Sequence, residues 1–456
     1  MIMPGGVPSG TEHSAIAALD QGRLRAIQIR VFVLCALVTM LDGIDNQSIG
    51  VVAPLMSAEL GLSTAAMGLI FSLTQVGATI GALAFGPFGD RFGRRPAIIL
   101  SVSTMTVFTL LTALVPSFGL LLATRFLAGI GLAGVFASAL ALTSEYAPTR
   151  LRGTMVSVVY AGYPAGAALG GVMAAVILQQ HDWRLVLYMG AALGALVIAL
   201  ILLLLPESPR FLIEAGTHRE RLDRLLMKLG LDPAAAGVSP AAVSSQPRPR
   251  QSLWSVFEGG LAPLTVLLCL LNLFVSATTK IMVVWFPSIL ADSGFSISQA
   301  AFSQAAFNIG CVAAMLIAGW LVDRFGALRT IVPALFFDAL SIWCLGFTAG
   351  NFAVTIIVAS LVGAFIGIGA SGAQALAAQL FPVRVRSTGI GWATSAARFG
   401  QVISPLLVGV VLAGGMSASR IYAGLALSPL LAALVAAAFV HATRRREEKA
   451  RAQSEG

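Results

Sequence analysis

Asp42, Asp45, Arg125, Lys280 and Arg398 are ionisable side chains that interrupt otherwise apolar stretches of this sequence. Asp42 and Asp45 are three positions apart, so on a helix they share a face and both can point into one cavity. Two carboxylates this close resist ionising together. A carboxyl group that exchanges its proton near neutral pH is what proton coupling requires. The competing reading is a pair that fixes helix packing through hydrogen bonds. A guanidinium matches a carboxylate in bidentate fashion, and a buried one needs a counter-ion. Arg398 is therefore a candidate for binding an anion, with a protein acid as the other possible partner.

The elements that must position these residues are long and apolar. Of 456 residues, 57% are hydrophobic and 11% charged, which excludes an ordinary soluble enzyme. A membrane-spanning helix needs about 20 apolar residues. Twelve such segments are expected near 31–53, 65–88, 96–115, 119–144, 153–178, 184–205, 262–290, 298–321, 328–348, 352–380, 389–412 and 420–440. Lys and Arg are sorted among the connections. Of the 29, all but five fall in the two ends and in every second connection, while the alternate connections carry only Arg184 and Arg420. Cytoplasmic loops collect Lys and Arg, so both ends are expected in the cytoplasm. The other three cations are Arg125, Lys280 and Arg398. The net charge of +9 follows from this bias rather than from nucleic-acid binding, and Arg444, Arg445 and Arg446 are read as facing anionic lipid. The polar first ~25 residues lack the pattern of a cleaved signal peptide.

The chain is duplicated. Gly89-Asp90-Arg91-Phe92-Gly93-Arg94-Arg95 returns as Val322-Asp323-Arg324-Phe325-Gly326-Ala327-Leu328-Arg329, and Pro148-Thr149-Arg150-Leu151-Arg152-Gly153 returns as Pro382-Val383-Arg384-Val385-Arg386-Ser387, at offsets of 233 and 234. The expected fold is an all-α membrane protein with twelve transmembrane helices in two pseudo-symmetric six-helix bundles, with a site between the halves near the midplane. The expected divisions are a tail at 1–26, a first bundle at 27–205, a cytoplasmic loop at 206–261, a second bundle at 262–440 and a tail at 441–456. Residues 217–229, inside the loop, form a charged amphipathic piece that could lie along the membrane surface.

The loop from Gly89 through Asp90, Arg91, Arg94 and Arg95 resembles the signature loop of the major facilitator superfamily. Arg125-x-x-x-Gly129-x-Gly131 and Pro206-Glu207-Ser208-Pro209-Arg210 resemble further motifs of that superfamily. Within it, Asp42-Gly43-Ile44-Asp45 is similar to the pattern of the aromatic acid:proton symporter family, as are the run from Leu142 through Gly171, Trp285-Phe286-Pro287, and Gly391-Trp392-Ala393 through Arg398-Phe399-Gly400. The resemblance implies uptake of benzoate-like or hydroxybenzoate-like anions with protons through the plasma membrane. It carries over Asp42, Asp45 and Arg398 as essential for transport, and Asp90 and Asp323 as conformational gate residues.

The gate loops have a mechanical reading. Gly89 allows close approach, while Asp90 with Arg91 and Arg94, and Asp323 with Arg324 and Arg386, form ion pairs that break and re-form as the halves rock. Glu145 is expected to pair with Arg91 or Arg94. Lys280, shifted by the repeat offset, falls opposite Asn46 and beside Asp45. It either attracts the substrate anion, pairs with Asp45 in the empty site, or snorkels to the surface. Arg125 is a further candidate for the substrate, for proton coupling or for structure. Tyr160, Tyr163, Phe274, Trp285, Phe307 and Trp392 could stack on an aromatic substrate, although packing explains a bulky residue in such a helix as simply. Asp338 has no evident partner.

The reading that unites these features is proton-coupled uptake of a small aromatic carboxylate by alternating access. Its expected partners are the substrate, protons and the bilayer, with no cofactor, no metal, no nucleic acid and a monomeric chain. Cys35, Cys269, Cys311 and Cys344 have no metal-ligand spacing. The alternatives are transport of another organic anion or of a sugar, an exporter, and a transporter-derived membrane sensor. No nucleophile–base set or phosphate loop accompanies the four histidines, at 13, 181, 218 and 441, so an enzyme is not expected.

Overall fold

The computed structural model describes residues 24–215, 219–228, 256–258, 261–348, 350–381, 385–414 and 416–455. Residues 247–250 and 382–384, and the side chains of Arg386 and of residues 444–446, lie outside the described set.

The first half contains α1 (Ala26–Leu60), α2 (Thr64–Phe92), α3 (Arg94–Thr112), α4 (Phe118–Tyr146), α5 (Arg152–Ile177) and α6 (Trp183–Leu204). Two short helices follow, α7 (Pro209–Ala215) and α8 (Arg219–Lys228). The second half contains α9 (Ala262–Val284), α10 (Phe286–Asp292), α11 (Ile297–Phe325), α12 (Ala327–Leu345), α13 (Phe352–Leu380), α14 (Arg386–Ala413) and α15 (Ala418–Glu455). Twelve of these helices are long and apolar enough to cross a membrane. Among the described residues there is no strand. The chain is thus a multi-pass membrane protein of two six-helix bundles. One difference from the expected segments is a break at Trp285, where Pro287 lacks the N–H that would continue the helix, so the seventh span ends in the separate turn α10.

Local sequence explains the sharpest corners. A single residue separates α2 from α3, and another separates α11 from α12. These are Gly93 and Gly326, with φ of 104° and 86°, values at which a Cβ is strained. The duplicated loop therefore keeps glycine where the backbone must reverse. At the opposite end, Ser296 caps α11 by accepting from the Gln299 amide, while Gln299 accepts from the Ser296 amide.

The halves meet along α2 against α14 and α5 against α11, with α9 and α10 beside α1. Their two ends differ. At the end with few Lys and Arg, one apolar core draws on both halves, from Val51, Met56 and Phe71 to Met282, Trp285 and Phe286. At the basic end the core is split. One cluster holds Val31, Leu142 and Ile201, all from the first half, and another holds Leu268, Ile331 and Phe439, all from the second. Among the described residues the halves share one core at the first end and keep separate cores at the basic end.

Close backbone approach makes the closure. Lipid tails are as apolar as the helices, so helix association in a membrane relies on small residues and polar contacts. A Cβ on Gly68 would lie 2.8 Å from the Pro405 carbonyl oxygen, and one on Gly409 2.8 Å from that of Thr64. The Trp285 indole fills the space beside them, edge-on to Phe71 and donating to the Pro405 carbonyl at 3.0 Å.

Candidate functional site

Asp42, Asp45 and Asn46 are buried where α1 passes the centre of the molecule. Asp42 and Asp45 hydrogen-bond to different neighbours. Asp45 faces into the first half, where Arg125 of α4 donates to Oδ2 at 3.0 Å and the Thr109 hydroxyl of α3 donates to Oδ1. Asp42 accepts from Asn46 Nδ2 at 3.2 Å, and Asn46 Oδ1 accepts from Lys280 Nζ at 2.8 Å. An ammonium, an amide and a carboxylate thus form one chain that crosses from the second half to the first.

Arg125 is 1% exposed and paired with Asp45, itself 4% exposed. Its Nε and Nη1 have no hydrogen-bond partner among the described residues. Lys280 is buried and does not snorkel, because Asn46 sits opposite it and takes its proton donor.

Arg398 projects from α14 into a cavity of about 420 Å³ between α2 and α14. Val76, Thr79 and Ile80 line one wall, and Ser395, Phe399 and Val402 the other. Asp42, Tyr160 and Tyr163 lie within electrostatic reach of Arg398, and Asp42 and Arg398 within reach of Lys280. With Asp45 paired to Arg125, the groups left here are one carboxyl, Asp42, and two basic side chains, Lys280 and Arg398, of which Arg398 lines the cavity.

Neutral amides complete the crossing. Gln75 Nε2 donates to Gln401 Oε1 at 3.0 Å, joining α2 to α14 between the glycine contact and the cavity. Asn308 Nδ2 donates to Gln47 Oε1 at 3.0 Å, joining α11 to α1. Sequence reading passed over both pairs. Their only signal was an amide inside an apolar segment.

The gate residues fall in two groups. Arg94 bridges Asp90 at 2.5 Å and Glu145 at 3.2 Å, and the absence of a Cβ on Gly89 leaves room for its guanidinium. Arg91 instead lies over the Phe92 ring, 5.3 Å from its centroid. All three residues belong to the first half, so these ion pairs do not join the halves. In the second loop, Arg324 lies over the rings of Trp320 and Phe325, and Asp323 is exposed and has no ion pair among the described residues. Glu207 was expected only as part of a motif, yet it caps α3. Its Oε1 accepts from the Arg95 amide at 3.1 Å and the Ser208 amide at 2.8 Å, and the Tyr146 hydroxyl donates to its carbonyl at 2.6 Å. Burial pushes this carboxyl above the usual glutamate range, and the backbone donors pull it back.

The aromatic candidates also separate. Trp285 belongs to the closed end, Phe307 is buried in the same core, and Trp392 packs edge-on to Phe257. Tyr160 and Tyr163 pack against Phe136 near Arg398. Asp338 is buried, and its Oδ1 has no hydrogen-bond partner among the described residues. The four cysteines are free, and among the described residues no cluster could hold a metal.

The Major Facilitator Superfamily model matches residues 35–291 and 268–456. The chain belongs to that superfamily. It is a transporter rather than an enzyme. It is 30% identical over 417 residues to the 4-hydroxybenzoate transporter of Pseudomonas aeruginosa, covering 91% of this chain and 93% of the relative. It is 31% identical to the gallate transporter of Pseudomonas putida, covering 94% and 95%, and 31% identical to the 3-(3-hydroxy-phenyl)propionate transporter of Escherichia coli, covering 90% and 93%. The fold is similar to the inward-open xylose transporter of Escherichia coli, with a TM-score of 0.73 at 17% identity, covering 91% of this chain and 96% of that one.

Proposed function

We propose that the protein carries a small aromatic monocarboxylate, of the benzoate or hydroxybenzoate kind, into the cell together with a proton. The observation that carries this reading is Arg398 lining the cavity between α2 and α14, in a molecule whose Lys280 is linked through Asn46 to Asp42. A monoanion pairs with Arg398, and its ring takes the apolar walls between α2 and α14. The names of the similar transporters support the same substrate class.

The transport cycle is alternating access. The basic end faces the cytoplasm, as the Lys and Arg sorting supports, and the transporter works as a monomer in the plasma membrane that alternates between inward-open and outward-open states. Asp42 takes the proton. Asp45, Thr109 and Arg125 hold the first half together around it. The closed end opens by separating Gly68 from Gly409 and lifting Trp285 from Phe71, while Arg94, Asp90 and Glu145 exchange partners as the basic end closes. With one proton per monoanion the cycle is electroneutral and is driven by about 1.4 kcal/mol per pH unit. A second proton would add about 2.3 kcal/mol per 100 mV.

The test is uptake of labelled 4-hydroxybenzoate and benzoate into proteoliposomes under an inward proton gradient. Accumulation that collapses with a protonophore supports the reading. No accumulation of either acid by correctly oriented protein moves the substrate to other organic anions or to sugars.

A further inference from the structure

Asn46 stands between the acid and the amine that face each other across the two halves. Its Oδ1 accepts from Lys280 at 2.8 Å and its Nδ2 donates to Asp42 at 3.2 Å, with 8% of the residue exposed. A side-chain amide has an acceptor at one end and donors at the other, so the three groups form a chain polarised in one direction. Asn46 lies one turn beyond Asp42 on α1, whereas Lys280 comes from α9, 234 residues later. The amide is thus the hydrogen-bonded path between a group that can hold an anion and a group that can hold a proton.

We infer that Asn46 is the positioning residue that couples substrate binding at Lys280 to protonation of Asp42; this rests on the function proposed above. In the empty site the ammonium donates to Asn46, and the polarised amide donates to the ionised Asp42 carboxylate. An arriving substrate carboxylate takes the ammonium for itself. The amide loses its donor and becomes a weaker donor in turn, while the new negative charge acts in the same direction. Asp42 then takes up one proton from the water of the open cavity, and no other bond changes. Departure of the anion returns Lys280 to Asn46 and sends the proton back to water. Substrate and proton therefore load and leave together.

The other charged or titratable groups facing Asp42 do not provide this link. Asp45 on the same helix is held by Arg125 and Thr109, from α4 and α3. Arg398 from α14 and Tyr163 from α5 lie within electrostatic reach and have no hydrogen bond to Asp42 among the described residues.

The experiment compares wild type with Asn46→Leu and Asn46→Ala, each as the full chain in proteoliposomes, using labelled 4-hydroxybenzoate. Counterflow exchange at equal pH needs substrate movement without net proton movement. In the variants exchange should fall by less than accumulation, and the ratio of the two rates is the readout. Accumulation driven by a pH difference should fall at least about ten-fold, the size of a typical coupling free energy. A pH dye in detergent supplies a second readout, with substrate-induced proton uptake present in wild type and absent in the variants. Equal loss of exchange and accumulation indicates a packing role and overturns the inference, as does retained accumulation or retained proton uptake. If wild type exchanges no aromatic acid, the proposed function falls and this inference falls with it.

Discussion

Arg125 and Asp45 form an ion pair that is sealed inside the first half, at 3.0 Å with side chains 1% and 4% exposed. Losing one partner leaves an uncompensated charge in the core, which costs about 3–5 kcal/mol. Arg125→Met alone is expected to lower the thermal unfolding midpoint in detergent strongly, and adding Asp45→Asn should restore most of the loss. Additive losses from the two substitutions would show that the residues are not a unit.

Asp42 differs from Asp45 in that its hydrogen-bond partner among the described residues is the Asn46 amide, from which an asparagine at position 42 can still accept. Asp42→Asn should fold with wild-type stability, keep counterflow, and lose accumulation by at least about ten-fold. Transport assays at matched protein levels decide this, and accumulation by the variant would remove Asp42 from the proton path.

Arg398 is the cation open to the cavity between α2 and α14. A hydrogen bond to a charged group contributes about 1.5–3 kcal/mol, so Arg398→Ala should weaken substrate binding by about 10- to 150-fold. Arg398→Lys should recover only part, since an ammonium lacks the planar fork. Direct binding titrations of 4-hydroxybenzoate check both.

Gly409 touches Thr64 and Gly68 at the closed end. Gly409→Leu should prevent that closure and shift the protein toward a state open at the end poor in Lys and Arg. With the native cysteines replaced, a cysteine at position 75 should become several-fold more reactive toward an impermeant maleimide from that side. Unchanged reactivity would mean that the glycine contact does not govern closure.

Glu207 gives a pH dependence of known sign. Burial raises its carboxyl in the folded protein. Its stabilising contribution is therefore complete below the unfolded value of 4.5 and is lost as pH rises through the raised folded value. Glu207→Gln should remove this component, so its unfolding midpoint should fall less than that of wild type between pH 4.5 and 7.

The fold was legible because its signals are global. The sorting of Lys and Arg and the two loop repeats each constrain many residues at once. The site was legible only in part. The repeat offset set Lys280 opposite Asn46 from sequence alone, since duplication preserves depth. The separation of Asp42 from Asp45 was not legible, because it depends on how α3 and α4 pack beside α1. Arg125 carried the same charge as Arg398, and only burial distinguishes them. The Gln75–Gln401 and Gln47–Asn308 pairs were invisible for a different reason. A neutral amide breaks no charge pattern, and its partner lies in the other half. Trp285 was sorted with possible substrate contacts, yet it fills the closed end, because the break before Pro287 turns its indole toward Phe71 and Pro405.

The unequal sharing of charge between the halves has a consequence for how the chain is made. The acid of the central chain is translated first, and its cation follows 234 residues after Asn46. In the finished structure the link from Asp42 runs to a residue of the second half, whereas Asp45 pairs with Arg125 inside its own bundle, so a first half made without α9 is expected to hold Asp42 without that link. Synthesis therefore passes through a stage at which one half is complete as a scaffold but incomplete in charge, and the second half arrives as its counter-ion. Split after α6, the two halves should associate when coexpressed, and the first half alone should be the shorter-lived partner.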